Sequence, residues 1–126
     1  MPNAEDRDAA ERETAERDVA ERETARLNEL LAERFALHAR GELGEAELRA
    51  AAEALVRHFV AVGMPPERAI RGVKEAVPWD RLAALPEGAL RGRDAHAVRD
   101  AIVKWSIHEY FRERERARAE GRLHER

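Results

Sequence analysis

The sequence predicts an all-α fold: a small bundle of four to five helices preceded by a long charged helix. Three observations carry this. Apolar residues recur at steps of three, four and seven, the period of one helix face, from Leu27 to Phe111. The strict alternation that marks a half-buried strand is absent. The opening residues are dominated by Ala, Glu and Arg, all strong helix formers.

The charged helix is announced by a duplication, in which Ala10-Glu-Arg-Glu-Thr-Ala15-Glu-Arg-Asp-Val19 is followed directly by Ala20-Glu-Arg-Glu-Thr-Ala25. Within it Ala-Glu-Arg recurs every fifth residue, and a five-residue step turns an α-helix by about 140°, so the alanines spiral around the rod. No coiled-coil seam results: a heptad through Ala20, Thr24, Leu27 and Leu31 puts Arg17 and Glu13 in the core on one side and Arg34 on the other. Glu13/Arg17 and Arg12/Glu16 stand at the i,i+4 spacing that supports a solvated helix.

Beyond the repeat, Leu27, Leu30, Leu31 and Phe35 share a face with His38, and Gly41 and Gly44 supply stop signals, so the first helix ends near Arg40. A second helix from Glu45 places Leu48, Ala52, Leu55, Val56, Phe59 and Val60 on one side until Gly63 provides the left-handed residue beyond its end. Pro65-Pro66-Glu67 opens a third, because proline suits a first turn and an acid complements the dipole there. Ile70, Val73 and Val77 face inward from it, and Pro78 closes it. From Pro78 to Arg93 the chain reads as a structured connector around Trp79, Leu82 and Leu85. Asp94 is the N-cap candidate for the last helix. That helix presents Val98, Ile102 and Trp105 on one face and Val103, Ile107, Tyr110 and Phe111 on much of the other. Past Phe111 the Arg-Glu alternation and Gly121 predict a fraying end.

A chain of 126 residues is one domain's length. The reading divides it into a charged repetitive arm (1–26), a helical bundle (27–111) and a charged tail (112–126). Charge is uneven: residues 1–30 carry ten acids against five arginines, whereas 112–126 carry six arginines against four glutamates. The net charge of −3 gives no case for a polyanion-binding protein as a whole. With no cysteine, disulfide and thiolate chemistry are excluded. No apolar run reaches membrane-spanning length, and the acidic start lacks the pattern of a secretion signal, so a cytoplasmic location is expected.

Site chemistry is sparse. The histidines, His38, His58, His96, His108 and His124, form none of the spacings of known metal sites, and His96 with Asp100 is the nearest approach. Ser106 and His108 are two apart on a helix and point away from each other, so they cannot make the hydrogen bond that activates a nucleophile. Arg91-Gly92-Arg93 puts two guanidiniums near the positive end of the last helix, where a phosphate could bind, but a flexible polar turn with a carboxylate cap is the preferred reading. The reading therefore assigns no catalytic residue, no metal and no cofactor, and ranks an enzyme using metal or paired carboxylates last. A rival reading makes residues 45–77 a helix-turn-helix DNA-binding unit, with Arg68, Arg71 and Lys74 along its second helix. Glu67 and Glu75 on the same helix, and the lack of Asn, Gln, Ser or Thr to read bases, argue against nucleic acid. The preferred expectation is a protein-interaction or oligomerisation module with a regulatory or adaptor role, binding a protein partner or a second copy of itself. Its contact residues are Trp105, Ile107, Tyr110 and Phe111, because the last helix is more apolar than one buried face requires.

Overall fold

The computed structural model describes residues 4–77 and 92–121, and among these all regular structure is helical. Four helices follow in order: α1 (Ala4–Ala39), α2 (Glu45–Ala61), α3 (Pro66–Ala76) and α4 (Gly92–Ala119). The connector around Trp79, Leu82 and Leu85 lies outside the described residues.

Over residues 4–19, α1 is exposed on every side. The two candidate i,i+4 pairs do not close there. Arg12 and Arg22 instead donate to the carbonyl oxygens of Asp8 and Asp18, and Thr14 donates to that of Ala10. Packing begins at Thr24, whose hydroxyl donates to the Ala20 carbonyl at 2.9 Å and lies 2.7 Å from His58 Nε2 on α2. The Thr24 hydroxyl thus bridges the α1 backbone and the His58 ring. Below that bond Leu27, Leu31, Phe35 and Ala39 form a stripe at four-residue steps into the core.

Both α1 and α2 end as their glycines require. Gly41 and Gly63 adopt φ +76 and +77, and the following amides, Glu42 and Met64, reach back to the Leu37 and Phe59 carbonyls at 2.9 Å. His38 pins the first of these turns, its Nδ1 donating to the Leu43 carbonyl at 2.9 Å. Gly44 precedes α2 in extended conformation, and its amide donates to the Glu47 carboxylate at 2.9 Å, so the helix start closes on its own third residue.

The central element is α2, which packs against α1, α3 and α4 and buries Leu48, Ala51, Ala52, Leu55, Val56, Phe59 and Val60. The last helix lies to one side, against α2 and α3. Two inward faces differ from expectation. On α3, Ala69, Val73 and Val77 are buried and Ile70 is turned partly outward. The reason is close approach: Gly72 sits where a Cβ would lie 2.9 Å from the Phe59 ring, so α3 settles onto α2 through its small residues. On α4 the buried stripe is Ile102, Ser106, Glu109, Tyr110, Glu113 and Ala117, while Val98 and Trp105 pack at its margin. The helix also departs from expectation at both ends. It starts at Gly92, so Asp94 falls inside the first turn instead of capping it. It continues past Phe111 to Ala119, and Glu113 and Ala117 extend the buried stripe.

Candidate functional site

The four aromatic and aliphatic residues expected to form a contact surface are divided by the turn of the helix, about 100° per residue. Tyr110 is core, its hydroxyl donating to the Met64 carbonyl in the α2–α3 turn at 2.7 Å. Trp105 is half-buried and covered by the Arg49 guanidinium, 5.7 Å from the ring centre. Ile107 and Phe111 remain at the surface, 43% and 51% exposed. Tyr110, 4% exposed, uses its hydroxyl inside the fold, which leaves Ile107 and Phe111 as the exposed members of the four.

Ile107 and Phe111 are not isolated. They form one wall of a groove of about 490 Å³ between α4 and α3, opposite Pro66 and Ile70. Tyr110 makes its floor and holds the Phe111 ring edge-to-face, with centroids 5.3 Å apart. Arg71 and Lys74 border it from α3, together with Glu67. On α4, Lys104 and Arg114 stand one turn before Ile107 and one turn after Phe111, with Glu115 beside Arg114. Cations outnumber carboxylates around an apolar centre.

The sequence reading missed half of this groove. Pro66 was read only as a helix opener and Ile70 as core. The pairing of α3 with α4 across a connector is not encoded in any local spacing. Of the residues assigned to the DNA-binding alternative, Arg68, Arg71 and Lys74 are all exposed on α3. They do not form a single free face: Arg68 and Arg71 border a cleft toward α1, and Arg71 and Lys74 border the groove toward α4.

The other concentration of charge centres on one buried carboxylate. Glu109, 1% exposed, meets Arg57 Nη1 at 3.4 Å and also pairs with Arg112. Arg112 reaches Glu53 at 3.4 Å, and Glu53 holds Arg49 at 3.2 Å. Burial pushes the Glu109 carboxyl up, but the charge of Arg112 and the hydrogen bonds from Arg57 and Arg112 outweigh it and hold it below the usual carboxylate range. Carboxylates on separate helices thus do meet. Their environment favours the ionised form of Glu109, which suits an interhelical clamp rather than a proton donor.

The remaining candidates are separate. Ser106 is buried and donates to the Ile102 carbonyl at 2.7 Å, whereas His108 is exposed. His96 and Asp100 are exposed, and no group of three or more metal-ligating side chains occurs among the described residues. Arg91 and His124 lie outside the described residues. No described helix is long and apolar enough to cross a membrane. Compared with protein families, with curated proteins and with solved structures, the chain has no match.

Proposed function

We propose that this chain is a protein-interaction module, a helical bundle with a charged arm, whose α3–α4 groove receives an amphipathic helix flanked by acidic residues. The observation that carries the reading is the pairing of exposed Ile107 and Phe111 with Pro66 and Ile70 beneath a predominantly basic border. Large apolar side chains held rigid in a groove are what a helix's i, i+4 anchors pack against. The border selects the occupant. Arg71, Lys74, Lys104 and Arg114 favour acids beside those anchors, and in a symmetric contact between two copies they would face their own kind. The acidic arm of a second copy fits less well, since its alanines spiral and leave Val19 as the one large apolar residue among its described residues. With no motif for site chemistry in view, an adaptor or regulatory role follows, and the expected location stays cytoplasmic.

The test is a titration with a labelled peptide carrying leucines at helix spacing and flanking glutamates, against the same peptide with lysines in their place. The glutamate peptide binds, more weakly at high salt, and the lysine peptide does not. Covering the exposed half of Phe111 removes roughly 100 Å² of apolar surface, so Phe111→Ser costs about 2 kcal/mol, roughly thirtyfold in Kd. Equal binding of both peptides, or indifference to Phe111→Ser, refutes the proposal. A dimer in sedimentation equilibrium that Phe111→Ser dissolves would make a second copy the occupant instead.

A further inference from the structure

A second concavity lies on the opposite flank of α3, between it and α1, with a volume of about 590 Å³, within the range of small-molecule sites. Its floor is apolar, formed by Phe59 and Met64. Gly72 contributes no side chain to cover the Phe59 ring, and none would fit. On the α1 wall stands Asn28, whose Oδ1 is shut off from solvent and has no hydrogen-bond partner among the described residues. A buried acceptor left unpaired is uncommon and marks a place where a donor belongs. Glu29 adjoins it on the same wall. Across the cleft, α3 carries two guanidiniums, Arg68 and Arg71, with Glu75 further along. None of these four charged side chains has an ion-pair partner among the described residues.

We propose that this cleft binds a small zwitterion with an apolar side chain, of the α-amino acid class. The arrangement supplies each part of such a molecule with a complement. Once the Asn28 amide turns toward the cleft, its Oδ1 accepts from an ammonium group, which Glu29 neutralises. A carboxylate is taken by the forked donors of Arg68 and Arg71, a geometry guanidinium suits. The side chain lies on Phe59 and Met64. A simple anion would find Glu29 and Glu75 opposing it, and a simple cation would find the two arginines. The site is independent of the groove proposed for a helical partner, apart from Arg71, which borders both.

The experiment uses L-phenylalanine, N-acetyl-L-phenylalanine and L-phenylalanine amide as probes of the full chain, followed by backbone amide NMR. L-phenylalanine shifts the signals of Asn28, Phe59 and Gly72 saturably, with Kd near or below about 1 mM. The acetylated probe, lacking the ammonium, and the amide, lacking the carboxylate, each bind at least about tenfold more weakly. Asn28→Ala lowers affinity by a similar factor. It does not lower the melting temperature, because Oδ1 makes no bond within the fold and alanine suits a helix interior better than asparagine. No saturable shift at these residues, or equal binding of the three probes, overturns the proposal. Unchanged binding by Asn28→Ala, checked as folded by circular dichroism, does so as well.

Discussion

Glu109 gives the sharpest test of how this fold is held, because its partners are not buried with it. The carboxylate is 1% exposed, while the side chains of Arg57 and Arg112 are 43% and 50% exposed. Breaking a buried ion pair costs about 3–5 kcal/mol when the partner left behind is a stranded charge. The two possible perturbations strand different charges. Glu109→Met keeps the volume and leaves two arginines that can turn into water, so the expected cost is under about 1 kcal/mol. Replacing Arg57 and Arg112 together by alanine leaves the carboxylate without either guanidinium, and the cost should approach about 3 kcal/mol. Acidity adds a second signature. The folded-state pKa of Glu109 lies below its unfolded value, so its contribution is present above about pH 4.3 and is lost as pH falls through the folded value. Glu109→Met should therefore lose less stability than the parent chain between pH 5 and pH 2, roughly the window for a depressed carboxylate. Urea unfolding followed by circular dichroism reads both effects, with the slope held constant as the check on two-state behaviour. The reasoning is wrong if Glu109→Met costs as much as the double arginine variant, or if its acid profile matches the parent's.

Two further outcomes follow from the packing. Gly72→Ala improves helix propensity by about 1 kcal/mol, yet its Cβ would meet Phe59 at 2.9 Å, so the variant should be destabilised by about 1–2 kcal/mol net, read as a lower melting temperature; unchanged or raised stability would show that α3 can shift freely. Deleting the arm through residue 19 removes only exposed side chains, so unfolding free energy should move by less than about 0.5 kcal/mol while helical ellipticity falls. A larger loss, or a change in mass by light scattering, would show that the arm packs against something.

The helix positions were legible because their signals are local. Gly41, Gly44, Gly63 and the Pro65-Pro66 pair punctuate the chain, and each works through its own backbone, so α2 and α3 lie where the residues place them. Faces were legible where apolar residues mark them, as along Leu27, Leu31 and Phe35 or along α2. They were misread where the buried stripe is polar or small. The stripe of α4 passes through Ser106, Glu109 and Glu113, which an apolar pattern cannot reveal, and following the greasy residues instead put Tyr110 at the surface. Arg49, Glu53 and Arg57 at four-residue steps on α2 were the available hint that a charged helix face would meet them. The end of α4 was misjudged for the same reason, since Glu113 and Ala117 carry burial past the last aromatic residue. The groove itself is a relation between α3 and α4, which no spacing within either one contains.

Ile107 and Phe111, with Pro66 and Ile70, are proposed to form a receiving surface whose border selects acidic partners. Backbone amide shifts during titration with the glutamate-flanked peptide test it residue by residue. Perturbations should concentrate at 66–74 and 104–114 and leave the exposed stretch 4–19 silent. Shifts centred on the arm, or spread evenly over the molecule, would contradict it.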